Sequence, residues 1–74
     1  MIKRKIYMSK DDIPDFVNIT GYAEHDVTIY RGKYVIDAKS LLGVVAIHSP
    51  YGMIIEYSEE DKKFEKKLQD MDWV

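Results

Sequence analysis

Apolar and polar positions change rhythm several times along the 74 residues. Over residues 2–8, Ile2, Ile6 and Met8 alternate with Lys3, Lys5 and Tyr7, which predicts a strand with a solvated or edge face. Arg4 breaks that alternation. Ser9 to Asp15 signals a helix start. Proline is tolerated only in the first helical turn, so Pro14 favours Asp11 or Asp12 as N-cap over Ser9. A short helix over 13–20 should follow, with Phe16, Val17 and Ile19 or Thr20 as its apolar stripe and Gly21 as its C′ residue.

Residues 26–30 and 33–37 are rich in β-formers and read as a hairpin around Arg31-Gly32. A short helix over 40–47 and a Pro/Gly-punctuated loop over 48–52 come next. A strand over 53–57 then leads to the last helix. Ser58 is its expected cap, with Glu59, Glu60 and Asp61 in the first turn and a Glu59–Lys63 pair along its side. Phe64, Leu68 and Met71 fall at i, i+4 and i+7 on one face. Trp73 and Val74 lie beyond and are expected to fold back over the core. Each helix has one apolar face, so the economical arrangement is an antiparallel sheet covered by helices on one side.

The stretch from Lys39 to Ile47 stands apart. Ser40 is a good N-cap, because its hydroxyl can accept a bond from a first-turn N–H. Leu41 to Ile47 carries no charge, and two helical turns cannot point all those side chains inward. Either the helix is buried on every side or part of its surface faces a partner. A chain of this size has little room for the first option. Ser40 and its neighbours are therefore a candidate docking site. A phosphate on Ser40 would meet unpaired N–H groups at the positive end of the helix, and would set roughly two negative charges beside an apolar patch. The plainer role for Ser40 is capping alone.

Composition narrows the classes. With 46% hydrophobic and 32% charged residues the chain has an ordinary globular make-up, and residues 1–74 are expected to form one domain. There are no cysteines, so neither disulfides nor thiolate metal sites are available. Eleven basic residues against thirteen acidic ones give a net charge of -2, which argues against a nucleic-acid partner. Lys3-Arg4-Lys5 is not followed by an apolar signal core, and no run approaches the ~18 apolar residues of a membrane span. A cytoplasmic protein is expected, and Asn18-Ile19-Thr20 is a chance sequon. Four scattered glycines make no phosphate loop, and two histidines without cysteines make no zinc spacing. No metal or cofactor is expected. His25 and His48 read as surface or helix-capping histidines.

The segment Val35-Ile36-Asp37-Ala38-Lys39-Ser40-Leu41-Leu42-Gly43-Val44-Val45 resembles the regulatory-serine segment of HPr, the small phosphocarrier of the bacterial sugar phosphotransferase system. The resemblance runs back to Asp26 and forward through the last helix. It implies an α+β open-faced sandwich of order βαββαβα, a four-stranded antiparallel sheet with three helices on one face. It also implies that Ser40 is the position modified by a serine kinase of the HPr-kinase type, and that Leu42 and Val45 lie on a protein-docking surface. The family carries its phosphoryl group on a histidine at the start of the first helix, with an arginine and a proline soon after. Counting back from Ser40 without gaps puts Ser9 at the histidine position and Asp11 at the arginine position. Aligning Pro14 on the family proline puts Asp11 at the histidine and Ile13 at the arginine. Neither register supplies the histidine or the arginine, and Asp11, Asp12 and Asp15 would repel an incoming phosphoryl group.

These residues together imply a non-enzymatic member of the family that acts by binding protein. Ser40 would be the modifiable residue, Lys39 its basic neighbour, and Leu41, Leu42 and Val45 the contact patch. Some HPr relatives without the histidine serve as cofactors of transcription repressors, so a transcription regulator is an expected partner alongside the kinase. Two alternatives stay open. One is a divergent phosphocarrier using Asp11, Ser9 or His48. The other is a structural homodimer, through the patch after Ser40 or by exchange of the first strand.

Overall fold

Burial on both faces marks the central strand. Met53–Tyr57, here β4, sets Met53, Ile55 and Tyr57 into the core and leaves Ile54 and Glu56 half-buried, as a strand flanked on both sides must. In the computed structural model, which describes residues 1–74, β4 pairs antiparallel with β1 (Ile2–Ile6) on one side. On the other side it pairs antiparallel with β2 (Thr28–Arg31), and β3 (Tyr34–Asp37) lies antiparallel beyond β2. The sheet order is β1-β4-β2-β3. Three helices complete the order βαββαβα: α1 (Ile13–Thr20), α2 (Leu41–Ile47) and α3 (Lys62–Asp70). The result is the expected α+β open-faced sandwich, a four-stranded antiparallel sheet with its helices on one face.

A single cluster of 16 buried apolar residues fills the space between sheet and helices. Ile6, Ile29, Met53, Ile55 and Tyr57 come from the strands, Ile13 and Phe16 from α1, Val44 and Ile47 from α2, and Phe64 and Leu68 from α3. Full burial of each large side chain contributes about 1.5–3 kcal/mol. Trp73 folds back as expected: its ring meets Phe16 edge-on at 5.7 Å, and its carbonyl accepts from the Tyr7 N–H at 2.9 Å. The other sheet face is polar. There the Tyr30 hydroxyl donates to the Glu56 carboxylate, and the Lys3 ammonium lies 5.0 Å above the Tyr30 ring.

Arg4 interrupts the alternation of β1 because it bridges two layers. It pairs with Ile55 in the register, on the helix-bearing face. Its guanidinium donates to the Tyr57 hydroxyl at 3.0 Å and to Glu65 of α3 at 2.8 Å, and the Tyr57 hydroxyl also donates to Glu65. A cation is retained at an apolar position because both partners are waiting for it.

Several boundaries differ from expectation. β1 ends at Ile6 instead of Met8, since Tyr7 turns its N–H to Trp73. The hairpin turn is Gly32-Lys33, not Arg31-Gly32, because Gly32 sits at φ 59, and a two-residue hairpin needs positive φ at its first central residue. Asp12 occupies the N-cap position of α1, as the proline rule favours. It is preceded by a 3-10 turn (Lys10–Asp12) in which the Asp12 carboxylate accepts from both the N–H and the hydroxyl of Ser9. Gly21 is not in a left-handed C′ conformation but at φ -62.

The cap of α3 is Asp61, not Ser58. One carboxylate oxygen of Asp61 accepts from the Phe64 N–H at 3.4 Å and the other from the Glu24 N–H at 2.9 Å. The helix therefore begins where one buried side chain can both cap it and tie down the segment after α1. Ser58 instead accepts from the Glu60 N–H. Glu59 and Glu60 precede the helix, so the Glu59–Lys63 pair does not form. Met71, placed on the apolar face by spacing, is the exposed C-cap residue, and Trp73 fills the core in its stead.

Candidate functional site

The chain enters α2 through a tightly bonded corner. Ala38, fully buried, donates its N–H to the Val27 carbonyl and accepts at its own carbonyl from the Thr20 hydroxyl. Asp37 accepts from the Lys39 N–H through its side chain and from the Ser40 N–H through its carbonyl. Ser40 is extended (φ -93, ψ 110), and its Oγ accepts from the Gly43 N–H at 3.2 Å. The capping role foreseen for Ser40 is realised, and the hydroxyl remains exposed to solvent.

The seven residues of α2 then divide by direction. Val44 and Ile47 enter the core, while Leu41, Leu42 and Val45 stay 46%, 82% and 47% exposed. The helix brings Ser40, Leu41, Leu42 and Val45 onto one continuous surface. Ala46, also exposed, extends it. Its place next to Val45 and four residues after Leu42 was the signal that would have included it. Lys39 adjoins Ser40 in the chain, but its ammonium reaches back toward the Ala23 carbonyl at 3.4 Å.

The other end of α2 meets the loop before α1. His48 Nε2 lies 2.8 Å from the Met8 carbonyl and must carry the proton, since a carbonyl can only accept. This ties the C-terminal end of α2 to Met8, the residue before Ser9. Ser9 is exposed, and its N–H and hydroxyl are both committed to Asp12. Asp11 is exposed, and its carboxylate makes no hydrogen bond or ion pair within the chain. A shallow cleft of about 440 Å³ opens here, and both charged side chains lining it, Asp12 and Asp72, are carboxylates. Such a lining opposes an incoming phosphoryl group.

His25 lies in the bend before β2, its ring half-exposed, in keeping with a surface histidine. Its Nε2 lies 3.7 Å from Glu60, and its buried Nδ1 faces Asp61 at 4.0 Å without a hydrogen bond. No cluster of three or more His, Asp or Glu side chains is placed to hold a metal ion. No helix is long and apolar enough to cross a membrane. Compared with family models, with curated proteins and with solved structures, the chain matches none.

Proposed function

We propose that this chain is an HPr-like protein of the bacterial cytoplasm that no longer carries phosphate and works as a protein-binding regulator. The observation that carries this reading is the surface of α2. Three apolar side chains face solvent directly beside an exposed, helix-capping Ser40. Hydrophobic area left outside so small a core is most simply accounted for by a partner. The element order and the resemblance around Ser40 support the family. The acidic cleft and the committed Ser9 hydroxyl support the loss of phosphoryl transfer.

In this reading a serine kinase of the HPr-kinase type modifies Ser40, and the partner is a transcription regulator that docks on Leu41, Leu42 and Val45. A phosphate on Ser40 adds roughly two negative charges at the rim of that surface and changes what it accepts.

The test is incubation with ATP and such a kinase. One phosphate should appear on the native chain and none on Ser40→Ala. Failure to label the native chain, or equal labelling of Ser40→Ala, overturns the switch. Capture of a transcription regulator from lysate should then differ between the two phosphorylation states and be lost in Leu42→Asp.

A further inference from the structure

We propose that β3 is a self-complementary edge and that two copies of this chain pair through it, antiparallel about a two-fold axis at Val35, into one continuous sheet. The sheet leaves two free edges, β1 and β3, and they are built differently. β1 presents Lys3, Arg4 and Lys5 in succession, all exposed, and charge of that kind discourages edge pairing. β3 has no such guard. Tyr34 and Val35 are 51% and 60% exposed, and no proline, glycine or charge lies between Lys33 and Asp37.

The backbone phase fits. The two-residue turn makes Arg31 and Tyr34 the closing hydrogen-bonded pair, so Tyr34 and Ile36 direct their N–H and C=O groups to β2. The bond from Ala38 N–H to the Val27 carbonyl continues the same phase. Lys33 and Val35 therefore turn both backbone groups outward, and Asp37 its N–H, while the Asp37 carbonyl already accepts from the Ser40 N–H. An axis at Val35 lets the two copies of that residue exchange N–H and C=O directly.

The side chains fit as well. The same axis sets Lys33 opposite Asp37 of the second copy, and Asp37 opposite its Lys33, giving two opposite-charge pairs on the open face. On the other face it sets Tyr34 opposite Ile36 twice, an aromatic against a β-branched side chain. Both kinds of cross-strand pair are favourable. The Asp37 carboxylate is already held at one oxygen by the Lys39 N–H, which leaves the other for the incoming lysine. An axis at Lys33 or at Asp37 would set like charges directly opposite, which is destabilising. An axis at Tyr34 or Ile36 keeps the backbone phase but forms no opposite-charge pair within β3, so only the Val35 axis joins strand pairing to charge complementarity.

Sedimentation equilibrium of the full chain at low salt tests this. The native chain should show a monomer–dimer equilibrium. Asp37→Lys or Lys33→Asp should each weaken it by about ten-fold or more, the scale of two direct repulsions. The double exchange Lys33→Asp/Asp37→Lys should restore it. Folding of each variant is checked by circular dichroism. Independently, Val35→Cys should oxidise to a disulfide-linked dimer, since paired Cα atoms at about 5.5 Å fall within disulfide reach. Cys introduced at Tyr22, exposed in the turn after α1 and outside the paired edge, should not. A monomer at every concentration, a dimer indifferent to the charge exchanges, or equal linking by both cysteine variants overturns the proposal.

Discussion

Gly43 lies so close to Ile36 that a β-carbon on the glycine would overlap the isoleucine Cγ2. This contact, and no unusual backbone angle, is what requires glycine there, and it allows α2 to settle directly on β3. In an exposed helix Gly→Ala gains up to about 1 kcal/mol. Here overpacking at about 1–3 kcal/mol should win, because Cγ2 is fixed to the backbone side of a β-branched residue. Gly43→Ala should therefore lower stability in urea. Ile36→Ala removes the obstructing methyl, so the double variant should be more stable than the sum of the single effects predicts. A stabilised Gly43→Ala protein would disprove the contact.

Asp61 should matter far more to folding than Ser58. Asp61→Ala removes a helix cap and leaves the Glu24 N–H without its acceptor, two losses that together cost about 2–3 kcal/mol. Ser58→Ala removes one turn bond and should cost about 0.5–1 kcal/mol. Thermal unfolding of both variants checks the order, and a larger loss from Ser58→Ala would reassign the cap.

Alkaline pH should expose the layer formed by Arg4, Tyr57 and Glu65. Burial holds the Tyr57 hydroxyl above the usual value of 10.0, against the opposing pull of the Arg4 guanidinium. A group with a raised folded-state pKa contributes stability below its unfolded value, and loses it as pH climbs through the folded one. Stability should thus be level approaching pH 10 and fall beyond it. Tyr57→Phe should be about 0.5–1.5 kcal/mol less stable at neutral pH and show a shallower alkaline decline. In an ultraviolet titration of the six tyrosines, Tyr57 and Tyr30 should ionise late.

Phosphoenolpyruvate and the first enzyme of the phosphotransferase system should leave this chain unlabelled. Ser9 is bonded to Asp12, and the neighbouring cleft is lined by carboxylates. A stable phosphohistidine at His48, or an acyl phosphate at Asp11, would reverse that expectation.

What the sequence made legible were features decided within a few residues. Two turns of uncharged α2 could not all face inward, and Ser40 had a hydroxyl in capping position; both hold. Features decided across the chain were not legible. Ser58 and Asp61 are equally good local caps, and the choice falls to Glu24, brought near by the fold. Arg4 looked like a fault in a strand because its partner Glu65 is 61 residues away. The turn at Gly32 was missed by one position, since either dipeptide places glycine in the loop and only the sign of φ separates them. At α2 the sequence revealed that apolar surface would be left over, but not that Lys39 would direct its ammonium to Ala23.

Pairing β1 with β4, and Tyr7 with Trp73, has a consequence for how the protein is made. The first strand waits for residues 53–57 before it has a neighbour, and Phe16 waits for Trp73 before its ring is covered. Contacts so distant in sequence close late and together. A nascent chain halted on the ribosome before α3 should be digested by protease, and resistance should arrive in one step once the tryptophan has cleared the exit tunnel.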